Sequence, residues 1–297
     1  MRGRPVVKRI SDRVAVCGND HFHHYLVGGD PAVLIECGVS ASARDLASQL
    51  SEAGLPAPGS LLAMHAHFDH VCGIPVLRGH FPDAEVLASP AAARVLGKPK
   101  VVAGFFEQDR KMQETLSGAP ATDDFPAAAP ERIPVDRTVE GGDRVPLGGG
   151  RFLELIDAPG HSPCGLAAWL AEDRVLFVSD SLGFQISDEE IFPVFFHAYR
   201  DYIDTIQRLA AYPAQVLAFP HERIWRGARA TEVFERTLQS ARKLRQEIVS
   251  ELESGRAEAE LKPALFKRFY RGDLRIYTPD NIRLCVDLLV RRSLEDG

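Results

Sequence analysis

The sequence predicts an α/β fold made of two strand-and-helix halves packed sheet to sheet. Three observations predict it. Short apolar runs alternate with turn signals through the first half, as strands and their connections do. A second block of strand signals follows the proline-bearing stretch 117–134 and leads again into helical spacing, so the rhythm occurs twice. Histidines and carboxylates fall just after apolar runs, at the strand ends where α/β proteins build their sites. The composition fits: 297 residues, 45% hydrophobic and 26% charged, supply a large core and exclude a mostly disordered chain.

Taken in order, Tyr25–Val27, the turn Gly28–Pro31 and Ala32–Glu36 read as a β-hairpin. Ala43, Leu46, Ala47 and Leu50 give 40–53 helical spacing, ended by Gly54. Leu61–Met64 is a short buried strand, and 71–77 starts a helix in spite of Gly73 and Pro75. Glu85–Ala88 reads as a strand, and 91–96 and 98–116 as helices. Pro120, Pro126, Pro130 and Pro134 mark 117–134 as an irregular loop or lid. Strands follow at 133–135, 143–147, 152–156, 166–170 and 175–178, then a helix at 199–211 and a strand at 216–219. Helices at 228–252 and 279–294 form the tail, so the expected division is an α/β unit over 1–225 with a helical extension over 226–297 packed on it.

A net charge of −6 leaves no basic footprint, and a nucleic-acid partner is not expected. Five cysteines make no disulfide framework, which points to a reducing cytoplasm. The basic N-terminus is not followed by an apolar run, so no secretory signal is expected. No stretch approaches the roughly 20 apolar residues of a membrane span, and no membrane partner is expected.

The chemistry concentrates in Met64-His65-Ala66-His67-Phe68-Asp69-His70. In extended backbone His65 and His67 share one side, because side chains alternate with period two. Asp69 and His70 lie past the strand end, where the chain turns, so two pairs can serve two adjacent cations. Imidazole and carboxylate suit zinc, and also iron or manganese. Burying three imidazoles and a carboxylate without a counter-ion is costly. Three further strand ends add His161 after Asp157-Ala-Pro-Gly, Asp180 after Leu176-Phe-Val-Ser, and His221 after Phe219-Pro220.

His65-Ala-His67-Phe-Asp69-His70, Ala158-Pro-Gly-His161-Ser-Pro163, Ser179-Asp180 and Pro220-His221, with the hairpin up to Leu34–Gly38, resemble the metallo-β-lactamase-fold superfamily in its glyoxalase II-like branch. The resemblance covers roughly residues 12–225. It implies a four-layered αββα sandwich of two mixed β-sheets, with C-terminal helices and a site at one edge between the sheets. By position it implies His65, His67 and His161 as ligands of one divalent metal, Asp69, His70 and His221 as ligands of a second, and Asp180 as the bridge. Zinc is the expected ion, with iron or manganese as alternatives. Two divalent cations set against Asp69, Asp180 and a hydroxide leave a net positive site, which suits an anionic or carbonyl-containing small molecule. The expected activity is a dinuclear metallohydrolase, its bridging hydroxide attacking a small ester, thioester or lactone. Asp69 is also the expected catalytic residue, orienting the nucleophile or accepting its proton. Alternatives on the same fold are a non-haem iron dioxygenase, a di-iron redox protein or a small-molecule phosphodiesterase.

Other residues invite expectations. Cys72 and Cys164 flank the ligands and read as small buried hydrophobes, with redox sensitivity as the sharper alternative. Glu36 stands where the family commonly has Asp, and reads as support for the site or a strand-end contact. His23 and His24, in a loop that in the family approaches the site, and Phe195 and His197, in the stretch after Asp180, are candidate substrate contacts. Phe266–Arg271 mixes cations and aromatics and reads as a solvated helix face or a homodimer contact.

Overall fold

Strands that are apolar on both faces need cover on both, and this chain meets the need with two sheets face to face and helices outside. The computed structural model describes residues 7–117 and 130–295. Its first sheet follows chain order: β1 (Lys8–Arg9), β2 (Val14–Gly18), β3 (His23–Val27), β4 (Ala32–Ile35), β5 (Pro58–Leu62), β6 (Glu85–Ala88) and β7 (Arg137–Thr138). Pairing is antiparallel up to β4 and parallel from β4 to β7. Between these strands run α1 (Ser40–Ala43), α2 (Leu46–Glu52), α3 (Phe68–Val71), α4 (Ile74–His80), α5 (Pro90–Leu96) and α6 (Pro99–Ser117).

The second half contributes β8 (Arg144–Gly148), β9 (Arg151–Asp157), β10 (Leu166–Leu170) and β11 (Val175–Phe177), a two-strand hairpin of β12 (Phe184–Gln185) and β13 (Ile191–Phe192), α7 (Tyr199–Ala210), β14 (Val216–Ala218) and β15 (Ile224–Arg226). Its sheet has the order β15-β14-β11-β10-β9-β8, with β11 and β14 parallel across the α7 crossover. The chain closes with α8 (Ala228–Glu253), α9 (Glu258–Phe269) and α10 (Pro279–Leu294), which pack on one another, α8 also against α7 and β15.

Alternation along the strands sorts the apolar residues into two cores. Val14, Val16, Tyr25, Val33, Ile35 and Leu62 meet Leu153, Leu155, Leu166, Val175 and Phe177 between the sheets. The alternate residues Ala15, Cys17, Leu26, Leu34 and Leu61 face the other way, into the core under the helices. A one-residue slip of any of these strands would exchange the two sets, so burial on both sides fixes the register. This is the αββα sandwich of two mixed sheets that the family resemblance implies.

Details depart from the sequence expectation. Arg44 and Asp45 interrupt the expected 40–53 helix, giving α1 and α2. Residues 71–77 straddle the end of α3 and the start of α4, which meet at Cys72-Gly73; a Cβ on Gly73 would lie 2.0 Å from the Cys37 carbonyl oxygen. Residues 133–135 form no strand, and pairing waits until β7. Additional to the expected set are β1, β2, β12, β13, β15 and α9; Pro263 inside α9 obscures its helical spacing. Most of the expected loop at 117–134 lies outside the described residues. Among the described residues no helix is long and apolar enough to cross a membrane.

Candidate metal centre

The loops that leave β5, β9, β11 and β14 at their C-terminal ends meet at one edge of the sandwich. Backbone hydrogen bonds tie them: Leu166 N–H donates to Met64 O at 2.8 Å and Val178 N–H to Ala218 O at 3.2 Å. Gly160 shapes the turn before His161. Its φ is 121°, and a Cβ there would stand 2.3 Å from the backbone nitrogen of Tyr202.

Seven side chains converge. His65 Nε2 lies 3.1 Å from His67 Nδ1, which lies 2.9 Å from His161 Nε2. Asp180 Oδ2 stands 3.3 Å from both His161 Nε2 and His70 Nε2, and 3.8 Å from His65 Nε2. On the other side Asp69 Oδ2 is 3.6 Å from both His70 Nε2 and His221 Nε2, and His221 Nε2 is 3.6 Å from Asp180 Oδ1. Three donor groups result, each within 4.8 Å: His65, His67 and His161; His65, His70 and Asp180; Asp69, His70 and His221. Sequence reasoning named all seven.

Four rings are oriented by their outer nitrogens, which fixes the tautomer that leaves a lone pair inward. Nδ1 of His161 donates to Val194 O at 2.9 Å, and Nδ1 of His221 to His21 O at 3.2 Å. Nδ1 of His70 donates to Glu36 Oε2 at 2.7 Å. Nδ1 of His65 donates to Ser179 Oγ at 3.2 Å, and that hydroxyl donates to Glu36 Oε1 at 2.7 Å. One carboxylate therefore orients a ring on each side of Asp180. Glu36 and Ser179 both take left-handed backbone, φ 66° and 46°, uncommon for residues with a side chain.

Three of the rings are held neutral, as metal ligands must be. Burial holds His65 well below the ordinary imidazole value, with His70 and His67 adding to the effect. Burial and then His161 push His67 down to about 3, and burial lowers His161. Burial also opposes charge on His70, but Glu36, Asp180 and Asp69 outweigh it and hold His70 well above its usual value. Burial would likewise raise Asp180, yet His70, His161 and His221 keep it well below the carboxylate range. Nε2 of His70 and of His221 are buried without a hydrogen-bond partner. Buried polar atoms are normally paired. A cation bound here would displace the His70 proton and give both nitrogens a partner, and the nitrogen–oxygen set fits zinc, iron or manganese.

The expected substrate contacts sit elsewhere. His24 is fully buried on β3, with Nδ1 2.8 Å from Glu36 O and Nε2 3.0 Å from Ser42 Oγ. His23 is also buried on β3, beside Tyr25 and the Phe219 carbonyl, and burial pushes it down to about 3. These two belong to a strand rather than a loop, which corrects the expectation. Phe195 is wholly buried against Tyr199 and Tyr202, whereas its neighbour Phe196 lines the cavity beside His161. His197 does not line that cavity; its backbone N–H donates to Gly160 O at 3.0 Å and braces the His161 turn. Cys72 and Cys164 are free and buried, as small hydrophobes are. Burial pushes the Cys72 thiol up, away from the reactive thiolate, and Cys164 Sγ accepts from Ala66 N–H at 3.3 Å.

One functional group escaped sequence reading. The hydroxyl of Tyr277, just before α10, donates to Asp69 Oδ2 at 2.7 Å. A lone tyrosine in a helical tail carries no motif, and Phe266–Arg271 gave the stronger signal nearby. Beside the cage a cavity of about 460 Å³ opens between α6, the β12–β13 hairpin and α10.

Residues 24–221 match the family model of the metallo-beta-lactamase superfamily. The hydroxyacylglutathione hydrolase of Rhodospirillum rubrum is 37% identical over 89 residues, 30% of this chain and 33% of that protein. The chain thus matches only about a third of that relative's length. An archaeal metallo-beta-lactamase superfamily protein from Sulfolobus tokodaii superposes with a TM-score of 0.60 at 19% identity, covering 100% of both chains. A flavodiiron core from Synechocystis sp. PCC6803 gives 0.55 at 18% identity, covering 81% of this chain and 62% of that one. At such identities these two structures speak for the fold alone.

Proposed function

Because the chain belongs to the metallo-β-lactamase superfamily, we propose that it is a dinuclear metal-dependent hydrolase of small esters, thioesters or lactones. The observation that carries the reading is the pair of buried, unpartnered Nε2 atoms on His70 and His221, facing Asp69 and Asp180 across the cage. His65, His67 and His161 would hold one ion and Asp69, His70 and His221 the other, with Asp180 in reach of ligands of both sets. When bound, two divalent ions, zinc in the first instance, supply Lewis acidity and ionise water near neutral pH.

The chain's own residues do the rest. Glu36, through His70 and Ser179, keeps donors of both sets aimed inward. Asp69, fixed by the Tyr277 hydroxyl, orients the attacking water and accepts its proton. The water oxygen bonds to the carbonyl carbon, the bond from that carbon to the alkoxy or thio group breaks, and the proton passes to the leaving group. The thioester option is supported by the likeness to a hydroxyacylglutathione hydrolase.

Metal content and turnover of protein purified without added metal test the reading together. Two zinc ions per chain, and hydrolysis of p-nitrophenyl acetate that chelation abolishes and zinc restores, are expected. One iron per chain with oxygen consumption and no hydrolysis would replace the hydrolase by the dioxygenase.

A further inference from the structure

The cavity beside the cage is unlike the cage in chemistry. Its floor is His67, Asp69, His161 and Asp180; its walls are largely apolar. Phe184, Phe192 and Phe196 line one side. Phe105 and Gln108 of α6 face it one helical turn apart, and Leu284, Cys285 and Leu288 of α10 repeat that spacing. Among the described residues no lysine or arginine lines it, and the polar groups away from the floor are the neutral amides of Gln108 and Asn281, the Tyr277 hydroxyl, the Cys285 thiol and the carboxylate of Asp280. Its volume of about 460 Å³ falls in the range of small-molecule sites, roughly 300–1,000 Å³.

A charged substrate arm would lose its hydration here at a cost: the described walls offer no cation to an anionic arm, and the Asp280 carboxylate is already paired with Arg283 at 2.7 Å. An apolar arm gains from each methylene removed from water. We propose that this cavity binds an uncharged, apolar acyl chain, so that the preferred substrates are medium-chain acyl esters, thioesters or lactones rather than conjugates with charged tails. The reaction named here rests on the hydrolase reading; the binding preference does not. The acyl carbonyl lies at the floor, and the chain runs between α6 and α10. This narrows the expectation drawn from the net positive cage: negative charge is served at the floor, and the walls select against it.

Two series measured on the metal-loaded protein test the proposal. One is kcat/KM for p-nitrophenyl esters from acetyl to decanoyl, with S-lactoylglutathione as the charged comparison. The other is calorimetric binding of methyl ketones from butanone to undecanone, which needs no turnover. Both are expected to rise about fourfold per added methylene until the cavity is filled. Phe105→Asp on α6 and Leu288→Asp on α10, each only half-buried, should each cut the decanoyl-to-acetyl ratio by about tenfold or more. Acetate hydrolysed with a flat chain-length profile, or S-lactoylglutathione preferred over the decanoyl ester, overturns the apolar cavity and leaves the hydrolase. Ketone affinity that climbs with length while no ester is cleaved upholds the cavity and overturns the hydrolase.

Discussion

The cage and the cavity wall share a floor but are built on different principles. The cage is made of polar side chains from four strand-end loops between residues 65 and 221, and four of its five rings are anchored by a hydrogen bond on the outer nitrogen. The wall comes from α6, the β12–β13 hairpin and α10, elements distant in sequence that line one largely apolar cavity. Its α10 half lies beyond residue 221, where the family match ends. A reaction centre demands particular atoms at particular points, and so leaves a motif. A binding wall demands only shape and apolarity, which many sequences satisfy.

The sharpest way to break the comparison is at Asp180, which touches ligands of both sets. Asp180→Asn should lower kcat/KM on the order of a thousandfold and reduce bound metal, a larger loss than the roughly 10–100-fold typical of a group behind the ligands. Glu36→Gln tests that outer layer. It weakens the acceptor for His70 and Ser179 together, and metal affinity measured against a chelating dye should fall by roughly 10–100-fold. Tyr277→Phe asks whether the tail contributes to the chemistry as well as to the wall. Loss of its hydrogen bond to Asp69 should cut kcat by about tenfold while metal content stays at the wild-type level.

An effect on stability rather than on turnover lies behind the wall, on α6. Asp109 is buried, accepts from Ser40 N–H at 2.9 Å through one oxygen, and has no partner on the other. Burial pushes its carboxyl up to about 6, the Ser40 hydrogen bonds offsetting only part of the rise. A carboxyl raised on folding favours the folded state while protonated, and that contribution is lost as pH rises through about 6. Asp109→Asn should therefore be more stable than the parent at pH 7.5 by about 1–3 kcal/mol and show little difference at pH 4, read from denaturant melts at the two pH values.

What the sequence discloses follows the same division. Four metal-capable residues within six, at the end of an apolar run, are hard to explain without a cation, and the three later strand ends complete the set. Glu36 was legible as a supporting residue, though not that it orients rings on both sides. The wall was not legible. Phe195 and Phe196 are adjacent and alike, and only the backbone path decides which ring meets the cavity. His23 and His24 carry ligand-like chemistry, but β3 extends far enough to enclose them. Tyr277 acts alone, more than 200 residues from Asp69, so no local pattern points to it. The fold was clear where burial imposes alternation, and least clear where a break of one or two residues, as at Arg44-Asp45, decides an element boundary.

The central claim is that seven side chains hold two metal ions on either side of Asp180. Anomalous scattering from zinc-loaded crystals, collected on both sides of the zinc absorption edge, tests it directly. Two peaks are expected, one among His65, His67 and His161 and one among Asp69, His70 and His221, with Asp180 reaching both. A single peak, or zinc bound away from these residues while the seven keep their positions, would contradict it.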